Sequence, residues 1–144
     1  MKRFPVSATI RRQIFHKANY RCGYCLTSQY VIGPLLELEH LIPLALGGTN
    51  DESNLWVACP VCNGAKSDRI TASDPETNQT VSLFNPGRDA WTNHFSWQEN
   101  GTIIHGLTPV GRATVSLLNM NHPDTVLARQ LWVLAGWHPP EDSL

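Results

Sequence analysis

The tightest constraint on this chain is the placement of its cysteines. Cys22 and Cys25 form one Cys-x-x-Cys pair and Cys59 and Cys62 a second, with residues 26 to 58 between them and no cysteine left over. Disulfides could be drawn, but a reducing compartment would keep the thiols free. Two Cys-x-x-Cys pairs suit tetrahedral thiolate coordination of zinc better than a redox pair. The separation exceeds that of a simple zinc ribbon, so the intervening segment must have structure of its own.

Local patterns supply that structure. Ser7 suits an N-cap, and Ile10, Ile14, Phe15 and Ala18 make an apolar stripe, which predicts a helix over residues 8 to 18 that exposes Arg11, Arg12 and Lys17. Gly23 between the first two cysteines suits a tight metal knuckle. The run Leu36-Glu37-Leu38-Glu39-His40-Leu41 alternates as a half-buried strand does, placing Glu37 and Glu39 on one face and Leu36, Leu38 and His40 on the other. Residues 47 to 54 are turn formers and predict a loop; Leu55 to Ala58 follows as a strand. Pro60 then opens a helix through Cys62, Asn63, Ala65 and Lys66 towards Ile70. Strand, loop, strand and helix make a ββα unit with the cysteines at its base.

Beyond it, the polar stretch 71–80 reads as a surface linker. Asn100-Gly101, between two strand-like runs, predicts a hairpin with a type I′ turn. Thr108-Pro109 opens a helix through Leu118, and Asn121-His122-Pro123 opens another, on which Val126, Leu127, Leu131, Trp132 and Leu134 form a wide apolar face ending at Gly136. Trp91, Trp97, Trp132 and Trp137 are expected in the core rather than as base-stacking platforms. The expected class is α+β, divided into residues 1–70 with the cysteines, the linker 71–80, and a supporting region 81–144 made of a hairpin and two helices.

With 144 residues, of which 42% are hydrophobic, the chain can bury one full core. The opening MKRFPVSATIRRQIF lacks a continuous apolar stretch, and no later segment is long and apolar enough to span a bilayer, so a cytoplasmic location without a membrane partner is expected. Net charge is -1, yet its distribution is uneven. Residues 1–36 contain no acid and carry Lys2, Arg3, Arg11, Arg12, Lys17 and Arg21, six of the eleven bases. Such a segment is either a solvated helix face or a phosphate-contact face, which binds by displacing condensed counterions.

The run Leu38-Glu39-His40-Leu41-Ile42-Pro43-Leu44, followed by Gly47-Gly48, Asn54-Leu55 and Cys59-Pro60-Val61-Cys62-Asn63, resembles the HNH (ββα-metal, His-Me finger) endonuclease family over roughly residues 9–69. Residues 83–86, 106–108 and 136–140 are also similar to the tails of bacterial, notably cyanobacterial, HNH proteins. The resemblance implies that His40 is the general base, that Glu39 and Asn63 are ligands of one divalent cation, and that Asn54 holds the loop and helps orient His40. Asn63 in the third motif position makes this an HNN variant. Carboxylate and amide oxygens are hard donors that suit Mg²⁺ or Mn²⁺, while Cys22, Cys25, Cys59 and Cys62 would hold structural Zn²⁺. The implied activity is hydrolysis of DNA phosphodiesters, by nicking or cutting. The same chemistry on RNA, or a catalytically inactive zinc-stabilised nucleic-acid-binding module, are the alternatives. Arg11, Arg12, Lys66 and Arg69 are the candidate phosphate contacts. The remaining histidines, His16, His94, His105, His122 and His138, are expected to be structural or exposed.

Overall fold

A computed structural model describes residues 6–144, so Lys2 and Arg3 lie outside the described residues. Helix α1 (Ala8–Lys17) starts where expected: the Ser7 side chain accepts the Ile10 backbone N–H, and Ile14 and Phe15 are buried. A one-turn helix, α2 (Gln29–Ile32), follows the first cysteine pair. Strands β1 (Glu37–His40) and β2 (Leu55–Ala58) pair antiparallel, with Glu39 opposite Trp56 and His40 opposite Leu55.

Helix α3 (Pro60–Lys66) completes the ββα unit, its start fixed by Pro60 at the first turn and by Cys59 Sγ, which accepts the Cys62 N–H at 3.4 Å. The helix stops at Lys66 rather than running towards Ile70, because Ser67 adopts a left-handed φ of 52°. Arg69 therefore lies past the helix and not on it.

Residues 71–80 are not a linker. Strand β3 (Thr71–Ser73) pairs with β4 (Thr80–Ser82), and the turn between them is pinned by Asp74, which is fully buried. Its carboxylate accepts the Glu76 N–H and the Thr77 hydroxyl, and the Arg112 guanidinium grips it through two hydrogen bonds of 3.0 and 2.9 Å. The polar composition reported the turn correctly, but the anchoring cation lies 38 residues along the chain.

A short helix, α4 (Trp91–His94), leads into β5 (Phe95–Gln98), which pairs with β6 (Ile103–Gly106). This hairpin is the expected one with a wider turn. Gln98 pairs with Ile103, so residues 99–102 form the connection, and Glu99, Asn100 and Gly101 all have positive φ. Thr102 closes it by donating its hydroxyl to the Glu99 carbonyl at 2.7 Å.

Helices α5 (Pro109–Leu117) and α6 (Pro123–Leu134) are capped by Thr108 and His122. On α6 much of the apolar face points outward: Leu127, Leu131 and Leu134 are 58%, 61% and 84% exposed, Val126 and Trp132 are half-buried, and the buried residue of that helix is Arg129. Trp137 is likewise exposed, against expectation. Trp91 and Trp97 do join the interior, in a chain of ring contacts running from Tyr24 through Phe84 and Phe95. One core draws on both halves, with Ile14, Tyr24, Leu55 and Val57 packed with Phe84, Phe95, Ile104, Leu118 and Met120. Among the described residues no helix is long and apolar enough to cross a membrane.

Candidate active site and metal centre

The loop between β1 and β2 is held by Asn54. Its amide oxygen accepts the Ile42 N–H at 2.8 Å, and its amide nitrogen donates to the carbonyls of Ile42 and Thr49 at 2.9 and 2.8 Å. Inside this brace the chain reverses at Gly47, whose φ is 88°, and Gly48 passes so close to the Ile42 carbonyl that a Cβ there would sit 1.7 Å from its oxygen. Both glycines are thus required by geometry. The reversal delivers Asn50 to His40, where Asn50 Oδ1 lies 2.7 Å from Nε2. An amide oxygen only accepts, so Nε2 is the donor in this contact, and in the neutral ring Nδ1 is then the acceptor. Asn50 was missed from sequence, being one polar residue among several in a turn-rich run.

Glu39, His40 and Asn63 line one cleft of about 270 Å³, together with Leu38, Pro43, Leu44, Ala45 and Ser67. Strand alternation directs Glu37 and Glu39 alike towards α3. Glu37 accepts the Asn63 amide NH₂ at 3.0 Å, which leaves the Asn63 carbonyl oxygen as the end suited to a cation. Glu39 is buried; its Oε1 accepts the Tyr24 hydroxyl at 2.9 Å and pairs with Lys66 Nζ at 2.9 Å, whereas its Oε2 is buried without a partner among the described residues. Burial pushes the Glu39 carboxyl up, opposed chiefly by the Lys66 ammonium and then by the Tyr24 hydroxyl. The same burial, reinforced by Glu39, raises the Tyr24 hydroxyl well above its ordinary value, so it stays a donor.

Lys66 does not contact solvent as a phosphate ligand would. Its side chain is 3% exposed, and besides Glu39 it reaches the carbonyls of His40 and Leu41, both at 3.3 Å. It fixes the backbone beneath the histidine. Arg11, Arg12 and Arg69 remain exposed. Arg11 lies over the Phe15 ring, and Arg12 shares a surface cleft with Lys17 and Glu52, the latter on the loop that also carries Asn50. Two further bases of the acid-free segment are matched in the fold, Lys17 by Glu52 at 3.7 Å and Arg21 by Asp142 at 2.8 Å.

The four cysteines are buried free thiols whose Sγ atoms all lie within 4.8 Å of one another. A tetrahedron of thiolates about 2.3 Å from a zinc ion has edges of roughly 3.8 Å, and Cys25 and Cys59 are already 3.7 Å apart. The knuckle backbone points N–H groups at sulfur, Tyr24 to Cys22 and Cys62 to Cys59. Burial pushes the Cys22 thiol well up, while S–H donation from Cys22, Cys59 and Cys62 pulls Cys25 well down. Such a set cannot carry four thiolates without a cation among them. The donors fit a metal, consistent with a zinc-binding site.

Residues 22–69 match the family model described as HNH endonuclease. No curated protein and no solved structure matches the chain. The matched span takes in both cysteine pairs, the braced loop and the cleft, and it indicates a nuclease-type or nucleic-acid-binding function.

Proposed function

We infer that the chain is a metal-dependent endonuclease that hydrolyses phosphodiester bonds of DNA. What carries this is Glu39, which lines a cleft with His40 and Asn63 and whose buried Oε2 has no partner among the described residues. A buried acceptor left unmatched costs about 1–3 kcal/mol or more, and a ligand that satisfies it recovers that cost. Glu39 Oε2 and the Asn63 carbonyl would hold one divalent cation, with oxygen donors favouring Mg²⁺ or Mn²⁺. When bound, that cation neutralises charge on the scissile phosphate. His40 takes the proton of the attacking water at Nδ1, and Asn50 holds the ring so that this nitrogen faces outward from the loop's hydrogen bond. Structural Zn²⁺ in the cysteine site takes no part, because four thiolates leave it no open position. Exposed Arg11, Arg12 and Arg69 would position the strand through its phosphates.

Supercoiled plasmid incubated with Mg²⁺ or Mn²⁺ tests this. The wild type should nick it in an EDTA-sensitive manner, and His40→Ala should be slower by about 10²–10⁴-fold. Absence of EDTA-sensitive nicking above the His40→Ala control overturns the inference. Salt-dependent DNA binding that persists in that case identifies a binding module, and faster cleavage in a parallel single-stranded RNA arm reassigns the substrate.

A further inference from the structure

Arg129 is fully buried on α6, and among the described residues no carboxylate pairs with it. Its partners are neutral: Nη1 donates to the Thr102 carbonyl at 2.9 Å and to Asn121 Oδ1 at 3.2 Å, Nη2 donates to the Met120 carbonyl at 2.7 Å, and the guanidinium lies 5.5 Å from the Trp97 ring centre. Nε is buried and has no partner among the described residues. A buried cation left without a counter-charge costs several kcal/mol, and a guanidinium does not escape by losing its proton. Such a residue needs an anion nearby.

The cysteine site supplies one. Arg129 lines the same cavity of about 420 Å³ as Cys25, Cys59 and Cys62, between the metal knuckles and α6. Burial pulls its guanidinium down, and the opposing influences come from Cys25, Cys62, Cys59 and Cys22. Four thiolates around one divalent ion leave a net charge of -2 on the cluster, enclosed in apolar surroundings where it would itself be costly. Each charge is the missing partner of the other.

We propose that Arg129 is the resident counter-cation of the four-cysteine metal site, delivered by α6 to lower the cost of the tetrathiolate dianion and so to set its metal affinity. This rests on the assignment of zinc to the four cysteines. It makes the C-terminal helix, far outside the cysteine motif in sequence, part of the metal site, as an outer group that tunes ligands without touching the ion.

The test is zinc affinity of the full chain, measured by competition with a chromophoric chelator, together with melting of the zinc-loaded and metal-free protein. Arg129→Met should weaken zinc binding about 10–100-fold, Arg129→Lys should recover most of that loss, and the melting gain on zinc loading should shrink in the first and not the second. Asn121→Asp serves as an independent variant that keeps the guanidinium but gives it a local carboxylate through the contact at 3.2 Å, and it should weaken zinc in the same sense. Unchanged zinc affinity in Arg129→Met overturns the proposal. If that variant does not fold, unchanged affinity in Asn121→Asp does so instead. A wild type that binds no zinc would overturn the zinc assignment itself, which is a different result.

Discussion

At the base of α3 four identical donors, all buried, lie within 4.8 Å of one another, whereas in the neighbouring cleft Glu39, His40 and Asn63 present three unlike donors with one carboxylate oxygen unmatched. Both sets adjoin the same ββα unit, Cys22 and Cys25 reaching it from the knuckle ahead of α2. The first can be satisfied completely by one tetrahedral ion and then has nothing left to offer a substrate, so its free energy goes into holding the chain together. The second keeps a carboxylate oxygen uncommitted among the described residues, which is a cost in the resting fold and, on the proposed function, a resource in a reaction. Satisfaction marks the scaffold; an unmet valence marks the chemistry.

The largest expected effect follows from treating the two sets alike in a mutant pair. Cys59→Ser removes a metal donor and the sulfur that caps α3, in the midst of the shared core. It should abolish cooperative thermal melting of the unit. His40→Ala should melt with the wild type, because its ring is held by one loop hydrogen bond and lines an open cleft. Equal melting of the two variants would break the distinction between scaffold and site.

Next in size is Lys66, which belongs to the scaffold although it lies beside the site. Removing one partner of a buried ion pair leaves an uncompensated charge, at a cost of about 3–5 kcal/mol. Lys66→Met should therefore lower stability by that order in urea denaturation, and Lys66→Met combined with Glu39→Gln should recover part of it. Unaltered stability with a weaker, less salt-dependent DNA affinity would instead make Lys66 a phosphate contact.

What could be read from sequence was local. Ser7, Thr108 and His122 each cap a helix that begins at the next residue, and Cys59 with Pro60 opens α3, so those starts were visible without a fold. The strand alternation correctly put Glu37 and Glu39 on one face, and both meet α3. The failures share a physical cause: each depended on a partner brought in from elsewhere. Asp74 turns a supposed linker into a hairpin through Arg112, and Lys66 is withdrawn from solvent by Glu39. On α6, periodicity identified which apolar residues align but not which side the rest of the protein covers: Leu127, Leu131 and Leu134 of that face are exposed, and Arg129 is the residue buried there.

Asn50 sharpens the boundary of the site. On the proposed function its Oδ1 orients the His40 ring from the loop, so Asn50→Ala should slow plasmid nicking by about 10–100-fold, the scale of a misaligned catalytic group, and affect melting less than rate. A loss of stability matching the loss of rate would assign Asn50 to the loop's scaffold beside Asn54 instead. Retention of full rate would show that the Asn54 brace alone fixes the histidine.

The smallest effect concerns His138, whose packed surroundings contrast with the cleft that His40 lines. His138 is buried against the edges of Trp97 and Trp132, with ring centres 4.6 and 5.9 Å away, and its Nε2 has no partner among the described residues. Burial and then the nearby Arg129 charge push its pKa down to about 4, against a backbone hydrogen bond with Gly101. The unfolded chain, with an imidazole near 6.5, binds the proton more readily than the fold does. Its contribution to stability is therefore complete above about pH 6.5 and is lost as pH falls towards 4. Asp74 behaves oppositely, since Arg112 holds its carboxyl well below the usual range and its contribution persists until the pH falls through and below ordinary carboxylate values. Loss in the higher window is thus expected from His138 and not from Asp74. His138→Phe, which keeps an aromatic ring between the tryptophans, should flatten the stability profile there by about 1 kcal/mol at pH 5.5 relative to the wild type. Parallel profiles would mean that the folded pocket accepts the proton, and His138 would then be a titrating group of the surface rather than a neutral member of the core.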